Sequence, residues 1–179
     1  IDFLSNNHVG HNSIISSTAK INQGCTIGDN CKIKENVIIG NNCIIGNNCT
    51  IEENTVISNS ILGDNVYIGR NTSIGQPGFG FAINQNKNYK IFHLGRVILQ
   101  SYVNIGSNCC IDRGSFEDTI IGENTYLDNA CHIAHNVSIG TNCIFAAMAG
   151  IAGSSTIGSN VIAGGQVGIA GHLKIGNNV

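Results

Sequence analysis

Aliphatic side chains recur at every sixth position over most of this sequence. A small residue precedes each of them by two positions, and Gly, Asn, Asp or Ser follow. The period is too short for a helix and fits a short strand with a polar corner, so it predicts an all-β solenoid. The aliphatic positions are Phe3, Val9, Ile15, Ile21, Ile27, Ile33, Ile39, Ile45, Ile51 and Ile57, then Leu62, Ile68 and Ile74, then Leu99, Ile105 and Ile111, and finally Ile121, Leu127, Ile133, Ile139, Phe145, Ile151, Ile157, Ala163, Ile169 and Ile175.

Most cysteines share one place in this repeat, two positions before the aliphatic residue. Alternate residues of a strand face the same side, so these cysteines should point into the core. We predict that they are small buried hydrophobic residues of a protein in a reducing compartment, not disulfides or metal ligands. They are Cys25, Cys31, Cys43, Cys49, Cys109, Cys131 and Cys143. Cys110 lies outside this place and has no evident role.

Composition narrows the class of protein. The 179 residues are 42% hydrophobic and 11% charged, which fits one cored domain and excludes a disordered chain or a coiled coil. The net charge of -2 and the lack of a basic cluster indicate no positively charged surface for binding nucleic acid or an anionic membrane. No stretch reaches the roughly 20 apolar residues of a membrane span, so we expect no integral membrane segment.

The hexad resembles the left-handed parallel β-helix of the bacterial hexapeptide-repeat acyltransferases, in which three hexads form one triangular coil of eighteen residues. The left-handedness of the β-helix is implied by the resemblance alone, because residue spacing does not reveal chirality. With such a coil, residues eighteen apart would stack about 4.8 Å above each other, and Cys25 would lie under Cys43. We therefore predict one β-helix over residues 1–179 with an inserted loop at 76–96.

The repeat is interrupted twice, and interruptions of a solenoid commonly carry its function. Residues 76–96 hold the only proline and several aromatic residues, which indicates either a functional loop or a loop that merely caps an edge. Residues 112–119 read Asp-Arg-Gly-Ser-Phe-Glu-Asp-Thr. Their charges are either solvated or paired across a subunit contact.

Histidines are the main candidates for chemistry in a chain with so few ionisable groups. His8 and His11 lie in ordinary repeats and should be surface residues, whereas the loop residue His93 cannot be placed. With an eighteen-residue coil, Gly153 would lie directly above His135, and His172 about 10 Å above it. A base beside a glycine leaves room for substrate and a backbone N–H, as acyl transfer requires, but three polar corner residues would give the same pattern.

Five motifs make the resemblance more specific. In this order, they resemble those of the UDP-3-O-acylglucosamine N-acyltransferase family, which attaches a hydroxyacyl chain during lipid A synthesis. The motifs are Gly78-Phe79-Gly80-Phe81-Ala82, Leu94-Gly95-Arg96-Val97, Ile111-Asp112-Arg113-Gly114, Asp128-Asn129 with His132-Ile133-Ala134-His135-Asn136, and Gly171-His172.

The resemblance implies four catalytic residues. His135 would be the general base that takes a proton from the glucosamine 2-amine as it attacks a thioester. Asp128 would hold and polarise the imidazole of His135. The backbone amide of Gly153 would stabilise the oxyanion, and His172 would assist at the thioester or at the leaving group.

The resemblance also implies residues that contact substrate. Asn129 would bind the substrate, and Phe79 and Phe81 of the loop would form an apolar wall for the acyl chain or the sugar. His132 lies next to the site and would either touch the substrate or modulate a neighbouring pKa. No metal and no cofactor are implied.

The implied protein is a cytoplasmic homotrimer with active sites between neighbouring helices. Its acyl donor would be an acyl-carrier protein and its acceptor a UDP-sugar. The family also carries an N-terminal uridine-binding domain and a C-terminal helical extension, and this sequence contains neither. We therefore expect the chain to be a catalytic-core fragment, or to bind the nucleotide poorly as it stands.

Three other functions compete with this interpretation. The O-acyltransferase one step earlier in the same pathway shares the fold and a catalytic histidine. Zinc enzymes of the γ-type carbonic anhydrase class bind their metal through histidines, for which His132, His135 and His172 are candidates. An ice-binding or purely structural solenoid would need regular Thr or Ser arrays, and the outward positions here vary among Lys, Glu, Asn and Ser.

Overall fold

The computed structural model describes residues 7–179, and in this range the chain consists of short strands joined by corners. Phe3, the first predicted core position, lies outside the described residues. The strands are β1 His8–Val9, β2 Ile14–Ile15, β3 Lys20–Ile21, β4 Thr26–Ile27, β5 Lys32–Ile33, β6 Ile38–Ile39, β7 Ile44–Ile45, β8 Thr50–Ile51, β9 Val56–Ile57, β10 Ser60–Leu62, β11 Tyr67–Ile68, β12 Ser73–Pro77, β13 Phe81–Asn84, β14 Lys87–Lys90, β15 Val97–Leu99, β16 Asn104–Ile105, β17 Cys110–Arg113, β18 Thr119–Ile121, β19 Tyr126–Leu127, β20 His132–Ile133, β21 Ser138–Ile139, β22 Ile144–Phe145, β23 Gly150–Ile151, β24 Thr156–Ile157, β25 Ile162–Ala163, β26 Gly168–Ile169 and β27 Lys174–Ile175. Over the described range, we find no helix that is long and apolar enough to cross a membrane.

Three parallel sheets form the faces of the solenoid, because the chain returns to the same face after every third strand. The first face stacks nine strands, β1-β4-β7-β10-β15-β18-β21-β24-β27. The second stacks eight, β2-β5-β8-β11-β16-β19-β22-β25, and the third stacks β3-β6-β9-β12-β17-β20-β23-β26. Paired residues are eighteen apart in the regular coils, as in Thr26 beside Ile44. The predicted all-β parallel helix is confirmed.

The core is a set of ladders of like residues along the axis. The second residue of nearly every strand points inward, so that Ile27, Ile45 and Leu62 stack on the first face and are buried. Each such side chain contributes about 1.5–3 kcal/mol of hydrophobic burial. The seven cysteines predicted to face inward are buried and free, whereas Cys110 is exposed. The predicted inward placement of these seven cysteines is therefore confirmed.

The corners explain why asparagine is so frequent. Each coil turns at residues with positive φ, and most of these are asparagine, for example Asn48 at 58° and Asn136 at 59°. Asparagine tolerates this left-handed conformation better than other residues with a side chain. Its neighbours also connect the coils, since the N–H of Asp29 donates to Asn47 Oδ1 of the next coil at 2.8 Å.

The two interruptions meet on the third face. Of the predicted loop 76–96, residues 76 and 77 still belong to β12; the chain then leaves the solenoid, forms the antiparallel hairpin β13–β14 and returns at β15. Arg96 of the returning segment pairs with Asp118 at 2.9 Å, and Arg113 donates to the carbonyl of Gly95 at 2.6 Å. Asp112 is buried. Arg113 and Asp118 thus fasten the loop to this segment and are not simply solvated as one expectation had it, whereas Glu117 is exposed.

Candidate active site

The loop and the third face enclose a pocket of about 750 Å³. Its floor is formed by strands β20, β23 and β26. The outward residue is His132 in β20, but it is a glycine, Gly150 and Gly168, in β23 and β26. The pocket is lined by Pro77, Gly78, Phe79, Phe81, Lys90, Asp112, His132, Ala134, His135, Gly150, Ile151, Ala152, Gly153 and Ile169. The loop thus forms a wall of the pocket, which excludes the alternative that it merely caps an edge.

His135 follows strand β20 at the corner between the third and first faces. Its Nδ1 lies 2.9 Å from Asn136 Oδ1. The same amide oxygen accepts from the N–H and the hydroxyl of Ser115, at 3.0 and 2.7 Å, so it can only accept from the imidazole as well. The neutral ring therefore carries its proton on Nδ1, and Nε2 keeps a free lone pair.

Gly153 stacks one coil above His135, as the eighteen-residue arithmetic predicts. A Cβ placed on Gly153 would lie 2.8 Å from both Nε2 and Cε1 of His135. These distances place the Cβ over the face of the imidazole ring. Glycine at position 153 therefore lets the His135 ring pack against the backbone of the coil above.

The N–H of Gly153 is free because of a second glycine. At equivalent corners, the backbone N–H donates to a side chain one coil above, as in Ser159 to Asn177 Oδ1 at 2.7 Å and Thr141 to Ser159 Oγ at 3.1 Å. The residue above Gly153 is Gly171, which has no side chain to accept. Within residues 7–179 the Gly153 N–H has no acceptor, so it is available to an oxyanion beside the base.

Asp112 lies in β17, below the base. It is only 5% exposed, and its Oδ1 accepts from Gln76 Nε2 at 2.7 Å. Its Oδ2 lies 3.8 Å from His132 Nε2. Burial raises the pKa of Asp112 above its ordinary value, and the neighbouring rings of His132 and His135 partly offset this effect.

His93 of the loop packs against His135. The ring centroids of His93 and His135 are 5.1 Å apart with their planes at 68°. Nδ1 of His93 donates to the carbonyl of Ile91 at 3.0 Å, whereas its buried Nε2 has no hydrogen-bond partner. Burial, with a smaller contribution from His135, lowers the pKa of His93 and keeps this ring neutral. Gly78 and Gly80 allow the loop backbone to approach the two rings.

The structure gathers some of the predicted residues at this pocket. His135, Gly153, His132, Phe79 and Phe81 all line it, and the two phenylalanine rings meet edge to face at 4.8 Å. Sequence reasoning missed the contributions of Asp112, His93 and Asn136. Asp112 and His93 lie within the two interruptions of the repeat, and Asn136 belongs to the motif that contains His135, so each left a signal in the sequence.

Other predicted residues lie elsewhere in the single chain. Asp128 and Asn129 occupy the corner after β19, between the second and third faces, where Asp128 Oδ1 accepts from the N–H of Asn129 at 2.7 Å. His172 is an exposed corner residue whose N–H donates to Gly153 O at 3.0 Å, and it does not line the pocket. Within one chain, Asn136 rather than Asp128 orients His135.

Asn136→Ala should lower about 10-fold or more the rate of a reaction in which His135 accepts a proton. The imidazole loses the acceptor that fixes its ring and its tautomer. Asn124→Ala is the matched control, since Asn124 is also a left-handed corner residue and lies away from the pocket. Turnover numbers of the two variants at saturating substrate measure the effect. Equal rates for both would contradict the orienting role of Asn136.

The positions of the candidate ligands bear on whether the site can hold a metal ion. Among residues 7–179, no group of three His, Cys, Asp or Glu side chains is placed to hold a metal ion. Of the histidines named for zinc, His132 and His135 share the pocket but His172 does not line it. This geometry gives the zinc-enzyme interpretation no support.

Family models match most of this chain. The model described as the GMPPB C-terminal domain matches residues 3–114, which is more than half of the sequence. This chain belongs to the GMPPB C-terminal domain family. A second model, described as bacterial transferase hexapeptide with six repeats, matches residues 118–153 of this family member, which include His135 and Gly153.

Curated relatives confirm the resemblance seen in the motifs. The family member is 51% identical over 76 residues to UDP-3-O-acylglucosamine N-acyltransferase of Caulobacter vibrioides, and 53% identical over 76 residues to that of Methylobacterium nodulans. Each match covers 42% of this chain and 22% of the relative. The matched segment thus spans about a fifth of the length of these relatives.

Solved structures share the fold over a longer span. A UDP-N-acetylglucosamine acyltransferase from Arabidopsis matches with a TM-score of 0.82 at 22% identity, covering 97% of this chain and 62% of that one. The UDP-N-acetylglucosamine O-acyltransferase from Moraxella catarrhalis matches with a TM-score of 0.70 at 26% identity, covering 93% and 62%. The family member therefore has the solenoid of these acyltransferases.

Proposed function

We propose that this chain is the β-helix part of an enzyme that transfers a 3-hydroxyacyl group from acyl-carrier protein to the 2-amine of UDP-3-O-acylglucosamine, in lipid A synthesis. The observation that carries the proposal is the proximity of His135, whose Nε2 has a free lone pair, to the free N–H of Gly153 in the coil above. Relatives named UDP-3-O-acylglucosamine N-acyltransferase support the choice of substrate class.

The proposed mechanism follows from these two groups. The amine nitrogen attacks the thioester carbonyl carbon, a C–N bond forms, and His135 Nε2 takes a proton from the nitrogen. The Gly153 N–H stabilises the negative charge on the carbonyl oxygen. The C–S bond then breaks, and the thiol of the carrier leaves with the proton returned by His135. Phe79 and Phe81 form an apolar wall beside the reacting groups.

Asp128, Asn129 and His172 keep their proposed roles only if another subunit supplies them. In one chain they lie outside the pocket that contains His135. A homotrimer with sites between neighbouring solenoids would let these corner residues of one copy reach the pocket of the next. We therefore propose a cytoplasmic homotrimer whose partners are the acyl-carrier protein and a UDP-sugar.

Acyl transfer to a hydroxyl group is the second candidate. The structural match to the Moraxella catarrhalis O-acyltransferase, at 26% identity over nearly the whole chain, favours it. The two reactions use the same donor and the same kind of base, and they differ in the acceptor atom. An amide bond in the product would therefore identify the first function, and an ester bond would identify the second.

The test supplies the purified protein with 3-hydroxyacyl carrier protein and either UDP-3-O-acylglucosamine or UDP-N-acetylglucosamine. We expect acylation of the first acceptor, detected by mass spectrometry, and a product bond that survives mild alkali because it is an amide. Acylation of the second acceptor through an alkali-labile ester would replace this proposal by the O-acyltransferase. No transfer to either acceptor would refute both.

A further inference from the structure

Asp112 is a buried carboxylate with unusually few partners. One oxygen accepts a single bond from the neutral amide of Gln76, which is held in turn by Ser73 Oγ at 2.8 Å from Gln76 Oε1. The other oxygen lies 3.8 Å from His132 Nε2, beyond hydrogen-bond distance. A carboxylate can accept about four hydrogen bonds, so most of its capacity is unused.

The charge of Asp112 is also uncompensated. Within residues 7–179 no Lys or Arg forms a salt bridge with it, and His132, its nearest cationic candidate, has a half-exposed side chain. Burying a carboxylate costs free energy unless it is paired and hydrogen-bonded, and this cost is seen in the raised pKa of Asp112. A ligand that brings a positive charge or several N–H donors would remove the cost.

The fold places Asp112 beside the base. In the register of β17 and β20, Cys110 pairs with His132 and Ile111 with Ile133, so Asp112 lies under Ala134 and next to His135. Ala134 is small and leaves the carboxylate facing the pocket that His135 and Gly153 line. Along this corner the order is therefore carboxylate, base and oxyanion donor.

We propose that Asp112 binds the amine of the acceptor and thereby selects an amine over a hydroxyl group. This inference rests on the proposed acyl transfer and names the group that recognises the nucleophile. The acceptor arrives as an ammonium ion paired with the carboxylate and loses one proton to solvent before the attack. The neutral amine then donates one N–H to Asp112 and the other to His135 Nε2, and its lone pair points at the thioester carbon.

The number of hydrogen atoms that the acceptor group can donate explains the selectivity for an amine over a hydroxyl group. A primary amine has two N–H bonds and can satisfy the carboxylate and the base together. A hydroxyl group has only one O–H, so if it donates to His135 its oxygen lone pairs face the carboxylate. Leaving a buried acceptor unpaired in this way discriminates strongly against the wrong ligand. Lys90, on the loop side of the pocket, is a cation that suits the diphosphate of the same substrate.

The experiment compares Asp112→Asn with the unchanged protein, and uses Glu123→Gln as a matched control that removes an exposed carboxylate far from the pocket. The amide oxygen introduced at position 112 can still accept from Gln76, which preserves the local structure. Calorimetry measures binding of UDP-3-O-acylglucosamine and of its analogue with a hydroxyl group in place of the 2-amine. Thermal unfolding checks that all variants are folded.

We expect the unchanged protein to bind the amine at least about 10-fold more tightly than the hydroxyl analogue, and Asp112→Asn to lose this difference. Undiminished preference for the amine in the Asp112→Asn variant would overturn the inference. A folding defect in that variant would be bypassed by Gln76→Leu, which leaves the carboxylate in place without its amide and should retain the preference. Binding does not require turnover, so transfer measured in parallel separates a failure of the proposed function from a failure of this inference.

Discussion

His135→Ala should reduce acyl transfer by about 10²–10⁴-fold while leaving the solenoid folded, because a positioned general base contributes an effect of this size. The side chain is half-buried at a corner and contributes no strand residue to the core. Its loss therefore removes the proton acceptor with little cost in packing. The rate of amide formation under saturating donor and acceptor measures the effect directly.

The control for this variant is His11→Ala, since His11 is an exposed histidine in an ordinary repeat. Unfolding temperatures of both variants should stay close to that of the unchanged protein. If His135→Ala kept more than a tenth of the activity, the base would have to be another group of the pocket, with His132 as the first alternative.

Gly153→Ala should reduce transfer by roughly 10²-fold or more, because the added methyl group would lie over the His135 ring, 2.8 Å from Nε2 and Cε1, and would displace the base. The backbone at Gly153 does not have a positive φ, so the substitution does not strain the main chain. It also keeps the N–H. A loss of activity would therefore show that the close packing of the His135 ring against Gly153 is required.

The matched control is Gly176→Ala, because a Cβ at that position meets no atom within 4 Å. This variant should retain full activity. Full activity of Gly153→Ala as well would contradict the requirement for this packing. Affinity for the acceptor, measured in parallel, distinguishes a loss of binding from a displaced base.

Periodicity predicted the solenoid well because every coil repeats the same physical problem. An aliphatic residue and a small residue must point inward in each hexad, and Cys25 stacks below Cys43 as the eighteen-residue coil requires. The same arithmetic placed Gly153 over His135. Where the repeat continues, position in sequence determines position in space.

The site was less predictable because the loop does not repeat. Nothing in its sequence determines that His93 folds back onto His135, or that the loop covers Asp112 and buries it. For Asp128, the predicted contact with His135 is not present within the single chain. It precedes His135 by only seven residues, but these seven span one whole face, so that the two side chains lie at different corners. Asn136, adjacent in sequence, orients the ring instead.

The two stacked glycines at the catalytic corner also link stability to activity. At several other corners a polar side chain one coil above accepts from the amide below it, as Asn177 does for Ser159, but Gly171 cannot accept from the amide of Gly153. The enzyme forgoes a hydrogen bond there that is worth about 1 kcal/mol. Substitution of Gly171 by the asparagine or serine found at other corners would add this hydrogen bond and stabilise the protein. The same bond would make the Gly153 N–H unavailable to the substrate. Selection for stability alone would therefore remove the activity.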